Sequence, residues 1–320
     1  MDKQRLMRIL AVVTSFGAYL MLLMGAIVTK TGSGKGCGNS WPFCHGQLIP
    51  ESLPIETVFE YSHRIVSGGV GFLILILTVW SWITYKTNRR VKTLGFMSLF
   101  FVVLQGALGA LTVVFEEEFA KKAALALHFG FSLISFASVV LLAIHLFQMK
   151  KGASAETHVP TGAAMISKGI HYAIWGLAVY TYVVVYTGAL VRHAKATMGC
   201  GYSFPSCGET IFPNLSSLAG IHMLHRYASI SLLLLVGWFM IVVIRRYKER
   251  TDLVRGSRLA FLLIVLQALS GITTVFTGGQ VLVALVHTTI ISIFFAVLSY
   301  LCMQVGLPWK RESETKHISA

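Results

Sequence analysis

The chain has 320 residues, of which 55% are hydrophobic and only 12% charged, with a mean hydropathy of +0.70. Soluble globular domains carry roughly 25% charged residues, so that class is excluded. The net charge of +14 could suggest a nucleic-acid surface, but the cations cluster between apolar runs, which makes them topology signals and points to no nucleic-acid partner.

Apolar runs of about 20 residues, long enough to cross a hydrocarbon core, occur at 9–29, 60–84, 94–115, 123–148, 170–191, 219–244, 259–276 and 281–305. The first leads into Thr29-Lys30-Thr31 rather than a small-x-small cleavage site, so it reads as a true helix and not a signal peptide. Alternate connecting segments hold nineteen Lys and Arg on one side and six on the other: Lys30, Lys35, Lys121, Lys122, Arg192 and Lys195. The positive-inside rule then predicts that both termini are cytoplasmic, with the basic loops beside anionic lipid headgroups.

Placing residue n beside n+163 aligns Gly25-Ala26-x-Val28 with Gly188-Ala189-x-Val191, Gly36-Cys37-Gly38 with Gly199-Cys200-Gly201, and Pro42-x-Cys44 with Pro205-x-Cys207. A shift of one residue brings His63-Arg64 over His225-Arg226, and Gln105-Gly106-Ala107-Leu108-Gly109 over Gln267-Ala268-Leu269-Ser270-Gly271. The predicted fold class is therefore an all-α integral membrane protein, its eight transmembrane helices forming two four-helix bundles related by a pseudo-twofold axis along the membrane normal. Its parts are an N-terminal half at 1–149, a polar cytoplasmic linker at 150–169, a C-terminal half at 170–306 and a cytoplasmic tail at 307–320. Gly106, Gly109 and Ala110 read as close-packing positions between helices.

Ionisable residues inside a bilayer are costly and start as functional candidates. His63, His128, His225 and His287 each fall near the outer end of their spans, two per half. Imidazole is a frequent axial ligand of haem iron, and facing helices can present such ligands from both sides of a macrocycle, so the pattern predicts one haem per half. His45, His193, His158, His317 and His171 read as solvated, and His145 as packed or interfacial.

Glu60 and His222 each stand three residues before a haem-facing histidine, on the same helical face. A carboxylate there could accept a proton or stabilise positive charge at the macrocycle edge; the alternative is a structural ion pair with Arg64. Arg64 and Arg226 are candidates for haem propionate contacts or for snorkelling to the headgroups. Cys37 and Cys44, and again Cys200 and Cys207, lie in loops on the oxidising side, which predicts two intraloop disulfides; Cys37, Cys44 and His45 are too few for a structural zinc site. Cys302 reads as a small apolar residue, and Glu116 to Glu118 as a solvated turn.

These residues resemble the haem A synthase family of the cytochrome oxidase pathway, in particular its Bacillus type. The resemblance spans all eight runs and is most specific at Thr29-Lys30-Thr31-Gly32-Ser33-Gly34 leading to Cys37, at Trp41-Pro42-x-Cys44-His45-Gly46 and at Glu60-Tyr61-Ser62-His63-Arg64, with His128, His225 and His287 at the other haem positions. It implies an oxidoreductase that converts the C8 methyl group of haem O into the formyl group of haem A, in a bacterial cell membrane. Resident haem B would lie between His225 and His287, substrate haem O between His63 and His128, and Glu60 would be catalytic. The Cys37–Cys44 pair would serve activity or haem transfer, and Cys200–Cys207 would be structural. His222 departs from what the family leads us to expect.

The implied partners are haem O, the haem O synthase that supplies it and membrane lipid; a homo-oligomer is a further expectation. Two competing readings are a bis-histidine membrane cytochrome b in electron transfer and a haem carrier. Four histidines at one depth form no transmembrane wire, which weighs against the cytochrome.

Overall fold

The computed structural model describes residues 2–114, 118–149 and 166–307. Most of the expected linker, the tail from 308 onward, His158, His317, Glu116 and Glu117 lie outside the described residues. Eight helices are long and apolar enough to cross a membrane: α1 (Lys3–Thr31), α2 (Ile55–Thr84), α3 (Arg89–Val114), α4 (Glu118–Gln148), α5 (Lys168–His193), α6 (Leu218–Arg246), α7 (Thr251–Phe276) and α8 (Val281–Val305). Residues 196–198 add one 3-10 turn.

Every apolar run is matched by a helix, but several helices begin earlier than the run does. α1, α3 and α7 start six, five and eight residues ahead of it, at Lys3, Arg89 and Thr251. Hydropathy marks where hydrocarbon begins, whereas backbone hydrogen bonding continues through the interface, where Lys and Arg can snorkel. The most consequential extension is at α2, which starts at Ile55, five residues before Glu60, with Pro54 as N-cap and Val58 N–H donating to the Pro54 carbonyl at 3.0 Å. Glu60 therefore lies inside the helix rather than at its edge.

Caps define other ends. The Asp2 carboxylate accepts from Gln4 N–H at 3.2 Å, and Gly32 closes α1 in the left-handed conformation, its N–H bonded to Val28 O. Ser217 caps α6 by accepting from Gly220 N–H at 3.0 Å.

Within the first four helices, α1 packs on α2 and α4, and α3 on α2 and α4; within the second four, α5 packs on α6 and α8, and α7 on α6 and α8. Between the groups α4 meets α5 and α8, while α1 also meets α8. This makes α4 the most enclosed span, 61% buried over its apolar window. Polar bonds cross the seam: Tyr19 and Thr289 hydroxyls lie 2.9 Å apart, and Arg192 donates to Ala26 O at 2.7 Å. Outward-facing side chains such as Phe72 (62% exposed), Val103 (64%) and Leu234 (68%) are apolar, as expected where the solvent is lipid.

Candidate functional site

His63, His128, His225 and His287 stand on α2, α4, α6 and α8, between six and ten residues beyond the first residue of each helix. At about 1.5 Å per residue they share one level to within roughly a turn. The helices that carry each pair belong to one group, α2 and α4 in the first and α6 and α8 in the second, and each ring packs against a glycine of the helix before its own. Among the described residues, no three His, Cys, Asp or Glu side chains gather into a bare metal-ion site.

A glycine on the preceding helix makes room for each ring. A Cβ added at Gly25 would lie 3.2 Å from Cε1 of His63, and one at Gly188 would lie 3.0 Å from Cε1 of His225. The same distance is 3.3 Å for Gly109 against His128 and for Gly271 against His287. All four are shorter than the 3.5–4.0 Å of favourable carbon contact. These glycines do more than bring helices together: they set where the imidazoles stand.

Hydrogen bonds fix which ring nitrogen is free. Nδ1 of His128 lies 2.7 Å from Gln105 O, which can only accept, so this nitrogen carries the hydrogen and the neutral ring presents its lone pair at Nε2. The Thr187 hydroxyl donates to Val184 O at 2.7 Å and so accepts from Nδ1 of His225 at 2.9 Å. In the same way Ser270 donates to Gln267 O at 2.9 Å and accepts from Nδ1 of His287 at 2.8 Å. The Gln267 amide then donates to Nε2 of the same ring at 2.9 Å. His63 is held least firmly, with Ser67 Oγ 3.4 Å from its Nδ1, beyond the usual range.

Glu60 is buried, with 5% exposure. One carboxylate oxygen accepts from Cys37 N–H at 2.9 Å, and the other forms a short ion pair with Arg64 Nη2. Nη1 of Arg64 donates to Ser40 O at 2.8 Å and Phe43 O at 2.9 Å, inside the loop closed by the Cys37–Cys44 disulfide. Thr57 donates to Gly36 O at 2.5 Å, and Nε2 of His45 lies 2.9 Å from the same carbonyl. The loop, the acid and the first turns of α2 thus form one hydrogen-bonded unit.

The second loop is closed by Cys200–Cys207 and repeats half of this arrangement. Nη1 of Arg226 donates to Ser203 O, Pro205 O and Ser206 O at 2.9–3.1 Å, and the guanidinium lies 5.4 Å from the centroid of the Phe204 ring. No carboxylate follows. Nε and Nη2 of Arg226 and Nδ1 of His222 are buried without a hydrogen-bond partner among the described residues, although Arg226 and His222 are only 7% and 5% exposed.

Other histidines sort by their bonds. His145 is buried, 3.3 Å from Asn88 Nδ2, a packed residue as expected. His171 is not simply solvated: Nε2 lies 2.7 Å from Val305 O and Nδ1 lies 3.1 Å from Ser167 O, tying the start of α5 to the end of α8. Sequence reasoning missed Thr187 and Ser270 as histidine partners. The signal was present in the repeat, where they stand opposite Met24 and Leu108, each just before a shared glycine.

Comparison with known proteins gives a consistent result. Residues 8–299 match the family described as cytochrome oxidase assembly protein, COX15-CtaA. The "Heme A synthase" of Alkalihalophilus pseudofirmus is 45% identical over 302 residues, covering 94% of this chain and 98% of that protein. Those of Bacillus mycoides and Bacillus cereus are 42% identical over 300 residues, covering 94% of this chain and 93% of each relative.

Proposed function

We infer that this chain, which belongs to the cytochrome oxidase assembly protein family, is a haem A synthase, oxidising the C8 methyl group of haem O to the formyl group of haem A. The reading assigns haem O to the N-terminal half, 1–149, between His63 and His128, and resident haem B to the C-terminal half, 170–306, between His225 and His287. The observation that carries it is the contrast between Glu60 and His222. Two groups with matching histidines differ in whether a buried carboxylate stands one turn away.

The residues present fit a haem in the C-terminal half. Both imidazoles carry their hydrogen on Nδ1, so Nε2 is the nitrogen that would face iron; at His287 iron would take the place of the Gln267 amide, which donates to Nε2 at 2.9 Å. The unpartnered Nε and Nη2 of Arg226 suit a propionate, whose two oxygens match a guanidinium edge. Arg64 has less to offer, since Glu60 and two loop carbonyls already engage it. Haem B, when bound, supplies a one-electron redox centre next to the substrate half.

In the N-terminal half the protein contributes position and charge. With water as the oxygen source, converting a methyl group to a formyl group consumes one water and releases four protons and four electrons, the electrons passing to an external acceptor. Glu60, held by Cys37 N–H and Arg64, is placed either to stabilise positive charge developing at the methyl carbon or to take a proton from an attacking water. Its two bonds hold the carboxylate in place and aim it.

Nineteen cations against six orient the protein in the cell membrane with both termini cytoplasmic and the disulfide loops outside. The supplier of substrate is a haem O synthase in the same bilayer, because a farnesylated haem is poorly suited to crossing water. Extracting the pigments from purified protein tests the reading. Haem B with haem O and its oxidised derivatives is expected; two equivalents of haem B would make the protein a cytochrome, and loose sub-stoichiometric haem would make it a carrier.

A further inference from the structure

The four glycines that accommodate the haem-facing rings are alike, but the residues just before them are not. Gly188 follows Thr187 and Gly271 follows Ser270, whereas Gly25 follows Met24 and Gly109 follows Leu108. Both C-terminal imidazoles are therefore tied at Nδ1 to a hydroxyl of the neighbouring helix, at 2.9 Å and 2.8 Å. Each hydroxyl hydrogen is already committed to a carbonyl, so each hydroxyl is a fixed acceptor. Met24 and Leu108 can offer nothing equivalent.

This difference bears on how a haem leaves. For iron to lose an axial imidazole, the ring must swing or tilt away, and a ring bonded at Nδ1 must break that bond as it moves. An Nδ1 partner also raises the basicity of the coordinating nitrogen, and removing such partners typically costs about 10–100-fold in metal affinity. In the N-terminal group, His128 keeps a backbone partner in Gln105 O at 2.7 Å, but among the described residues His63 has only Ser67 at 3.4 Å.

We propose that Thr187 and Ser270 are positioning residues that make the C-terminal haem permanent, and that the apolar Met24 beside a weakly held His63 makes the N-terminal site one that releases its haem. The proposal rests on the assignment of substrate and resident haem to the two halves made above. It deepens that assignment by naming what makes one site a holder and the other an exchanger.

The test follows haem transfer from the full-length purified protein to excess apomyoglobin, with each haem identified by chromatography. In the unaltered protein haem O leaves about tenfold or more faster than haem B. Thr187→Val and Ser270→Ala, which keep shape and remove the hydroxyl, speed haem B release by about tenfold and shift its low-spin EPR signal, while Thr187→Ser and Ser270→Thr preserve both. Met24→Thr slows haem O release, a readout available even if the C-terminal variants fail to fold.

Unchanged haem B release and EPR in the hydroxyl-free variants would overturn the proposal. So would equal acceleration in Thr187→Ser, which would mark a packing role, or equal release rates from the two sites of the unaltered protein. If the functional assignment itself fails and both sites hold haem B, release still resolves into two phases. The proposal then stands or falls on whether the Thr187 and Ser270 variants accelerate the slower one.

Discussion

The N-terminal and C-terminal helix groups place two histidines each at one level, with a glycine opposite every ring, yet the polar groups around those rings are arranged in opposite ways. In the first, the arginine after the α2 histidine is paired with Glu60 and the loop, and one imidazole is weakly held. In the second, the arginine after the α6 histidine binds its loop with one nitrogen and has two without partners among the described residues, while both imidazoles are tied down. On the proposed assignment, the repeated histidines would place a macrocycle in each half, and the residues one layer out are where the halves differ.

Exchanging those outer residues is the way to break the comparison. Glu60→Gln removes the acid and keeps its shape, and should lower haem A output by about 100-fold or more, the scale of losing a proton-transfer group. Haem B should stay bound. Chromatography of extracted pigments checks both, and normal haem A output would remove Glu60 from the chemistry.

Gly188→Ala places a methyl group 3.0 Å from Cε1 of His225. It should displace the ring and cut haem B occupancy by about tenfold, in line with disturbing a metal ligand's surroundings. Gly25→Ala should spare haem B and deplete haem O, so the haem-to-protein ratio of each pigment tells whether the two glycines act on separate sites. A weaker effect is expected of His222→Glu, which offers Arg226 the partner Arg64 has. If Arg226 binds a propionate, the new carboxylate competes for it and haem B release quickens a few fold; unchanged release would move the propionate contact elsewhere.

Smallest is the change expected at the seam. Tyr19→Phe removes the bond to Thr289 and should cost about 0.6 kcal/mol, the average for side-chain bonds between membrane helices. Denaturation in detergent, with Thr289→Val completing a double-mutant cycle, measures it.

Helix number and the four histidines were legible because a bilayer demands long apolar runs and makes each intramembrane imidazole conspicuous. Helix starts were not, since the hydropathy signal stops at charges such as Glu56 and Glu60 while the backbone ladder runs through them. Thr187 and Ser270 were hidden for another reason. Serine and threonine in apolar helices commonly bond a carbonyl one turn back, as these two also do toward Val184 O and Gln267 O, and only the spatial register of neighbouring helices reveals that their lone pairs serve a histidine. The ion pair of Glu60 with Arg64 is legible because charges inside a membrane need partners; the bond from Cys37 N–H depends on how the loop folds back.

The four glycine–histidine contacts between helices each lie within one pair of consecutive helices: α1 with α2, α3 with α4, α5 with α6 and α7 with α8. What seats each of the four histidine rings against its glycine is therefore local to one helical hairpin and needs no third helix. On the proposed sites, a haem held between His63 and His128 or between His225 and His287 would bridge two such hairpins, and so would act as a fastener within each half.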